Sequence, residues 1–155
     1  MIRLEISENS TRFDHPSAPN GEIRLPLGFG QLARQFFGEF PPTYAQIDHA
    51  IQYTEDELAT IEHAFDGESS LTTDDERARQ IARLAFDTVE RDGQLILPRE
   101  ELESVFNRLA DIVKGLPASQ DVIPTETEFA AYLLILREIT HHLAFDEVIL
   151  PLKTT

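Results

Sequence analysis

From Phe129 to Leu136 the sequence reads Phe-Ala-Ala-Tyr-Leu-Leu-Ile-Leu, eight residues without a single charge. The run lies inside a segment of helical length, from about Thr125 to Ala144, that begins just after Pro124. A helix that is apolar all round must be buried on every side, so other elements have to pack around it. Eight residues fall far short of the roughly 20 needed to cross a bilayer. The chain has 155 residues, enough for one domain that buries about 68–70% of its unfolded surface. A single domain over residues 1–155, built around one central helix, is the starting expectation.

The remaining elements follow from periodicity. Ile2, Leu4 and Ile6 alternate with Arg3 and Glu5, the pattern of a half-buried strand. Glu8 to Gly21, with Pro16, Pro19 and Asn20-Gly21, reads as a loop closing in a tight turn. Glu22 to Leu25 alternates again and predicts a short strand hairpinned to the first. Leu27 to Phe37 predicts a short helix stopped by Gly38 and Pro41-Pro42.

Tyr44, Ile47, Ile51, Thr54, Leu58, Ile61 and Phe65 form a stripe at helical spacing that Gly67 ends. Gly67 to Thr73 reads as a polar linker. Thr73 with Glu76 has the spacing of a capping box, and Ala78, Ile81, Ala82, Ala85 and Val89 give the following helix a small-residue face, with Asp92-Gly93 as its end. Gln94 to Leu97 is extended, Pro98 opens a helix with Leu102, Val105, Phe106, Leu109 and Ile112 on one face, and Gly115 closes it. Val148 to Leu152 predicts a final strand beside Ile2 to Ile6. The expected class is α+β, mainly α: about five helices packed on a small sheet formed by short N- and C-terminal strands.

Charge narrows the partners. Lys and Arg number 13 against 28 Asp and Glu, a net charge of −15. Phosphate backbones and anionic lipid surfaces attract clustered Lys and Arg, and no basic run exists here, so neither nucleic acid nor membrane is expected as a partner. The absence of cysteine excludes disulfides, zinc–thiolate sites and thiol nucleophiles. The first residues lack the basic stretch and apolar core of a signal peptide, and the expectation is a cytoplasmic protein.

Three groups of residues invite a functional reading. Gly28, Gly30 and Ala33 match the G-x-G-x-x-A pattern of a dinucleotide-binding turn, but Pro41-Pro42 stands where a second strand should follow, so the glycines are read as easing a strand-to-helix turn. Glu138, His141 and His142 carry an E-x-x-H spacing that places a carboxylate and an imidazole on one helix face toward a metal. No second such pair exists, and the competing reading is a pairing of Glu138 with His142 at a helix C-terminus. Phe29, Phe36, Phe37, Phe40 and Tyr44 form either core or an exposed interface patch.

His49 and His63 sit two positions past the stripe and face solvent, and His15 lies in a loop without a partner nucleophile. Asp74-Asp75 and Glu100-Glu101 stand at helix starts and are read as capping. No cofactor is identifiable. The functional expectation is a non-catalytic protein-interaction or regulatory domain with a protein partner or self-association. The alternative is a small metal-binding protein or enzyme centred on Glu138, His141 and His142, completed by acids such as Asp48, Glu62 or Asp146.

Overall fold

The computed structural model describes residues 1–152. Its chain runs through seven strands, β1 (Ile2–Ile6), β2 (Thr11–Asp14), β3 (Glu22–Leu25), β4 (Ser70–Thr73), β5 (Val89–Arg91), β6 (Gln94–Pro98) and β7 (Glu147–Pro151). Five α-helices accompany them: α1 (Phe29–Phe36), α2 (Tyr44–Ala59), α3 (Glu76–Leu84), α4 (Arg99–Val113) and α5 (Thr127–His142). The strands form one mixed sheet in the order β3-β2-β1-β4-β7-β6-β5. β1, β4 and β7 are parallel at its centre, and antiparallel meanders extend both sides.

The expected central helix is where the pattern puts it. Every residue of α5 from Phe129 to Leu136 is buried, and α5 packs against α1, α2, α3 and α4. Ile2, Leu4 and Ile6 of β1 and Thr11 and Phe13 of β2 turn inward. On the other face of this end of the sheet, Arg12 pairs with Glu5 across the β1–β2 ladder at 3.5 Å and with Asp14 on its own strand at 3.1 Å.

The sheet corrects the expected fold class. Five helices are present, but they pack on a seven-stranded mixed α/β sheet and not on a small sheet of the two chain ends. β2 lies inside the segment that reads as a loop, because Thr11 and Phe13 are only two inward positions and the turn residues begin at His15. β3 pairs with β2, not β1. β7 pairs with β4 and β6, and β4 separates it from β1.

The decisive omission is β4. Parallel central strands usually announce themselves as continuous Val/Ile/Leu runs, yet β4 is Ser-Leu-Thr-Thr with a single aliphatic residue. Its pairing is reinforced by side chains: Thr72 Oγ1 donates to the Ile149 carbonyl at 3.0 Å, and Ser70 Oγ to Glu147 at 3.3 Å. Two helix boundaries also move. α2 ends at Ala59, although Phe65 beyond it is still buried, against Phe13 with ring centroids 5.4 Å apart. Asp92-Gly93 is no helix stop but the turn of the β5–β6 hairpin, with φ of 53° and 76°, the positive pair that a two-residue hairpin turn requires.

Candidate functional site

In open α/β sheets, ligands bind outside the carboxyl ends of the parallel strands, where the chain leaves toward different sides. That edge is defined here by the ends of β1 and β4. β1 runs into the four-residue loop Ser7-Glu8-Asn9-Ser10, and β4 into Asp74-Asp75 and the start of α3. The N-terminus of α1 leans on the loop: the amides of Phe29, Gly30 and Gln31 donate to the carbonyls of Ser7 and Glu8 at 2.9–3.1 Å. These are the free amides that a phosphate-binding turn would offer, and they are already used. Gly28 and Gly30 do lie between a strand and a helix, but what requires glycine there is close approach to Glu8 and Asn9 and not the turn itself.

Asp75 departs from its expected role. It stands at the N-cap position of α3, but its carboxylate makes no cap. Oδ2 instead accepts from the Ile6 amide at 2.9 Å and from the Tyr132 hydroxyl at 2.8 Å, tying β1, α3 and α5 together. Thr73 accepts from the Asp75 amide and so belongs to a turn, not to the predicted capping box with Glu76. Burial raises the Asp75 carboxyl above its ordinary value, against the lowering effect of these hydrogen bonds. Burial, then the neighbouring Asp75, also holds the Tyr132 phenol well above its ordinary range.

Because the folded protein holds the Asp75 proton more tightly than the unfolded chain does, this group disfavours folding at neutral pH. Its contribution improves as pH falls through the raised value. Asp75→Asn is expected to remove that part of the pH dependence while keeping an acceptor. Asp75→Ala strands the Ile6 amide and the Tyr132 hydroxyl and should cost about 1–3 kcal/mol. Denaturant melts of both variants between pH 4 and 8 check the pair.

Around this point the edge carries cations. Arg34 contacts Glu8 at 3.3 Å and Asn9 at 2.9 Å. Arg77 lies over the Phe29 ring at 4.1 Å and within 3.8 Å of Glu128. Asp74 joins the exposed Arg3 at 2.8 Å to the buried Arg79 at 3.2 Å. A hollow of about 330 Å³ lined by Gly30, Ala33, Arg34, Phe37, Thr127 and Glu128 opens beside them.

The second group sits at the other end of α5. Glu138 is buried, and its Oε2 lies 3.0 Å from Nε2 of His142, one turn on. Nε2 of His142 is also 3.4 Å from Oε1 of Glu55 on α2. One ligand atom from each of Glu55, Glu138 and His142 falls within 4.8 Å of the others. His141 does not join them: it is exposed and faces Glu103 at 3.6 Å. The E-x-x-H pair is therefore not formed, and the i,i+4 pair is. Of the acids expected to complete the group, Asp48 is exposed, Glu62 contacts His63 at 3.1 Å and Asp146 faces Arg99 at 3.9 Å. Glu55 has that place, and the sequence carries no signal for it beyond a polar position on α2.

The aromatic group is divided. Phe37 is buried, Phe29 packs on Tyr132 and Phe36 on Tyr53, Phe40 is half-buried, and only Tyr44 is exposed. No continuous aromatic patch stands on the surface at these residues. His49 and His63 are exposed as expected. His15 bridges Ser17 at 2.6 Å and Glu68 at 2.9 Å, which pins two loops together.

The sheet order and the helices around α5 define a mixed α/β fold. No protein-family profile matches the sequence, and a comparison with curated proteins finds no match. Solved structures do resemble it. A Ppx/GppA phosphatase of Aquifex aeolicus, type II variant, superposes with a TM-score of 0.74 at 17% identity, over 97% of this chain and 52% of that one. An exopolyphosphatase from Cytophaga hutchinsonii does so with a TM-score of 0.68 at 10% identity, over 97% and 52%. An exopolyphosphatase-like protein gives 0.72 at 12%, over 97% and 55%.

The chain thus spans about half the length of these neighbours. The expectation of a non-catalytic interaction domain gives way here: nearly the whole chain has an architecture found in phosphatase-family enzymes. Among the described residues no helix is long and apolar enough to cross a membrane.

Proposed function

We propose that the chain is one lobe of a phosphate-handling hydrolase, working at the carboxyl ends of β1 and β4. The observation that carries the reading is the likeness of 97% of the chain to phosphatases and exopolyphosphatases. The neighbours extend for about as long again, so the reading concerns the half of such an enzyme that this chain matches.

Hydrolysis of a phosphoanhydride adds water across the P–O bond and needs charge on the phosphoryl oxygens to be met as the bond breaks. Arg34 and Arg77 are the partly exposed cations at this edge that would meet it, and Glu8, exposed on the loop after β1, is the carboxylate placed to orient water. The net charge of −15 opposes a polyanion at long range. Screening confines that repulsion to about 8–10 Å at physiological salt, so local cations and a divalent ion carried by the substrate decide binding.

The test is phosphate release from inorganic polyphosphate by the full chain with Mg²⁺, alongside polyphosphate binding followed by calorimetry. The reading expects saturable binding that Arg34→Ala and Arg77→Ala each weaken about tenfold, the loss of one charge-assisted contact. Absence of saturable polyphosphate binding, with or without Mg²⁺, would overturn it.

A further inference from the structure

We propose that Glu55, Glu138 and His142 form a divalent transition-metal site that clamps α2 to α5, away from the strand-end edge. Tyr132, which marks that edge, precedes His142 by ten residues on one helix, about 15 Å at helical rise. The site therefore serves stability or regulation and not the phosphate reaction.

Two independent observations point to a ligand. First, three donor atoms from two helices converge: Glu138 Oε2, Glu55 Oε1 and His142 Nε2, all mutually within 4.8 Å. Second, Glu138 is buried with a side chain 1% exposed, and its Oε2 is a buried oxygen without a hydrogen bond. A buried carboxylate oxygen left open is costly unless something positive meets it. The 3.0 Å approach of His142 Nε2 lacks hydrogen-bond geometry, as expected for two atoms that share a third partner between them.

The surroundings suit a metal. Arg137 holds the other oxygen of Glu138 at 2.6 Å, and its guanidinium lies 4.8 Å from the Phe106 ring centroid. That outer contact fixes the carboxylate and leaves Oε2 as the ligating atom. Glu55 and His142 are each about one-third exposed, which provides an entry path and room for a water as fourth ligand. Two carboxylate oxygens and one imidazole nitrogen suit Zn²⁺ or Co²⁺ better than Ca²⁺, which takes six to eight oxygens.

The experiment is calorimetric titration of EDTA-treated full chain with ZnCl₂ at pH 7.5, repeated with Co²⁺ for its visible absorption. One site per chain is expected, with a tetrahedral Co²⁺ spectrum. The melting temperature should rise by roughly 5–10 °C at a hundredfold excess of Zn²⁺ over Kd. Glu55→Gln and His142→Ala, both at half-exposed positions, should each weaken binding at least tenfold, and His141→Ala should leave it unchanged. Absence of stoichiometric binding overturns the site, as does binding that neither Glu55→Gln nor His142→Ala diminishes. Neither result bears on the phosphate reading, whose residues lie at the other end of α5.

Discussion

Phe13→Ala should destabilise the protein by about 3–5 kcal/mol, the cost of emptying a fully buried aromatic site. For a domain of this size that lowers the melting temperature by roughly 6–20 °C. Phe13 is 0% exposed. It faces Leu4 across β1 and Ile23 across β3, and stacks on Phe65 from the segment after α2. One side chain thus fastens the first meander to the helical layer. If residues 8–21 were the loop that their prolines suggest, the same substitution would cost a few tenths of a kcal/mol, as surface changes do. A thermal melt separates the two.

Gly28→Ala should cost about 1–3 kcal/mol, the range for overpacking a closed site, and should loosen the strand-end edge. The reason is not backbone conformation, since φ of −129° suits any residue. An added Cβ would come closer than 3.0 Å to the Glu8 carbonyl oxygen and the Asn9 amide nitrogen, both main-chain atoms that no rotamer change can move. The start of α1 must then lift off the loop, and the amides of Phe29, Gly30 and Gln31 lose their acceptors. Faster hydrogen exchange at those three amides is the specific readout. Gly38→Ala is the control: nothing lies within 4 Å of its added Cβ, and little change is expected.

These two positions also show what was legible. Gly28 and Gly30 could be placed at a strand-to-helix turn because a strand signal and a helix signal stand on either side. What they approach, the loop between β1 and β2, was not legible, because β2 is four residues long with only two inward side chains. Short strands carry too few periods for alternation to register, and β4, equally short, also lacks the aliphatic run expected of a central parallel strand. The candidate metal group follows a similar rule. Glu138 and His142 lie one turn apart and can be paired from sequence, whereas Glu55 lies 83 positions earlier and meets them only because α2 packs on α5.

The sequence by itself determined the buried helix α5, the amphipathic helices around it, the strand β1 and the turn-forming residues. Each rests on local periodicity or backbone preference that a few consecutive residues express. Only the tertiary structure decided that seven short strands make one sheet, with β4 between β1 and β7, and that Asp75 reaches Ile6 and Tyr132 and does not cap its own helix. The physical reason is shared: parallel pairing and buried polar contacts join residues about 57–77 positions apart. Their energy depends on the partner's position, and no local pattern records it.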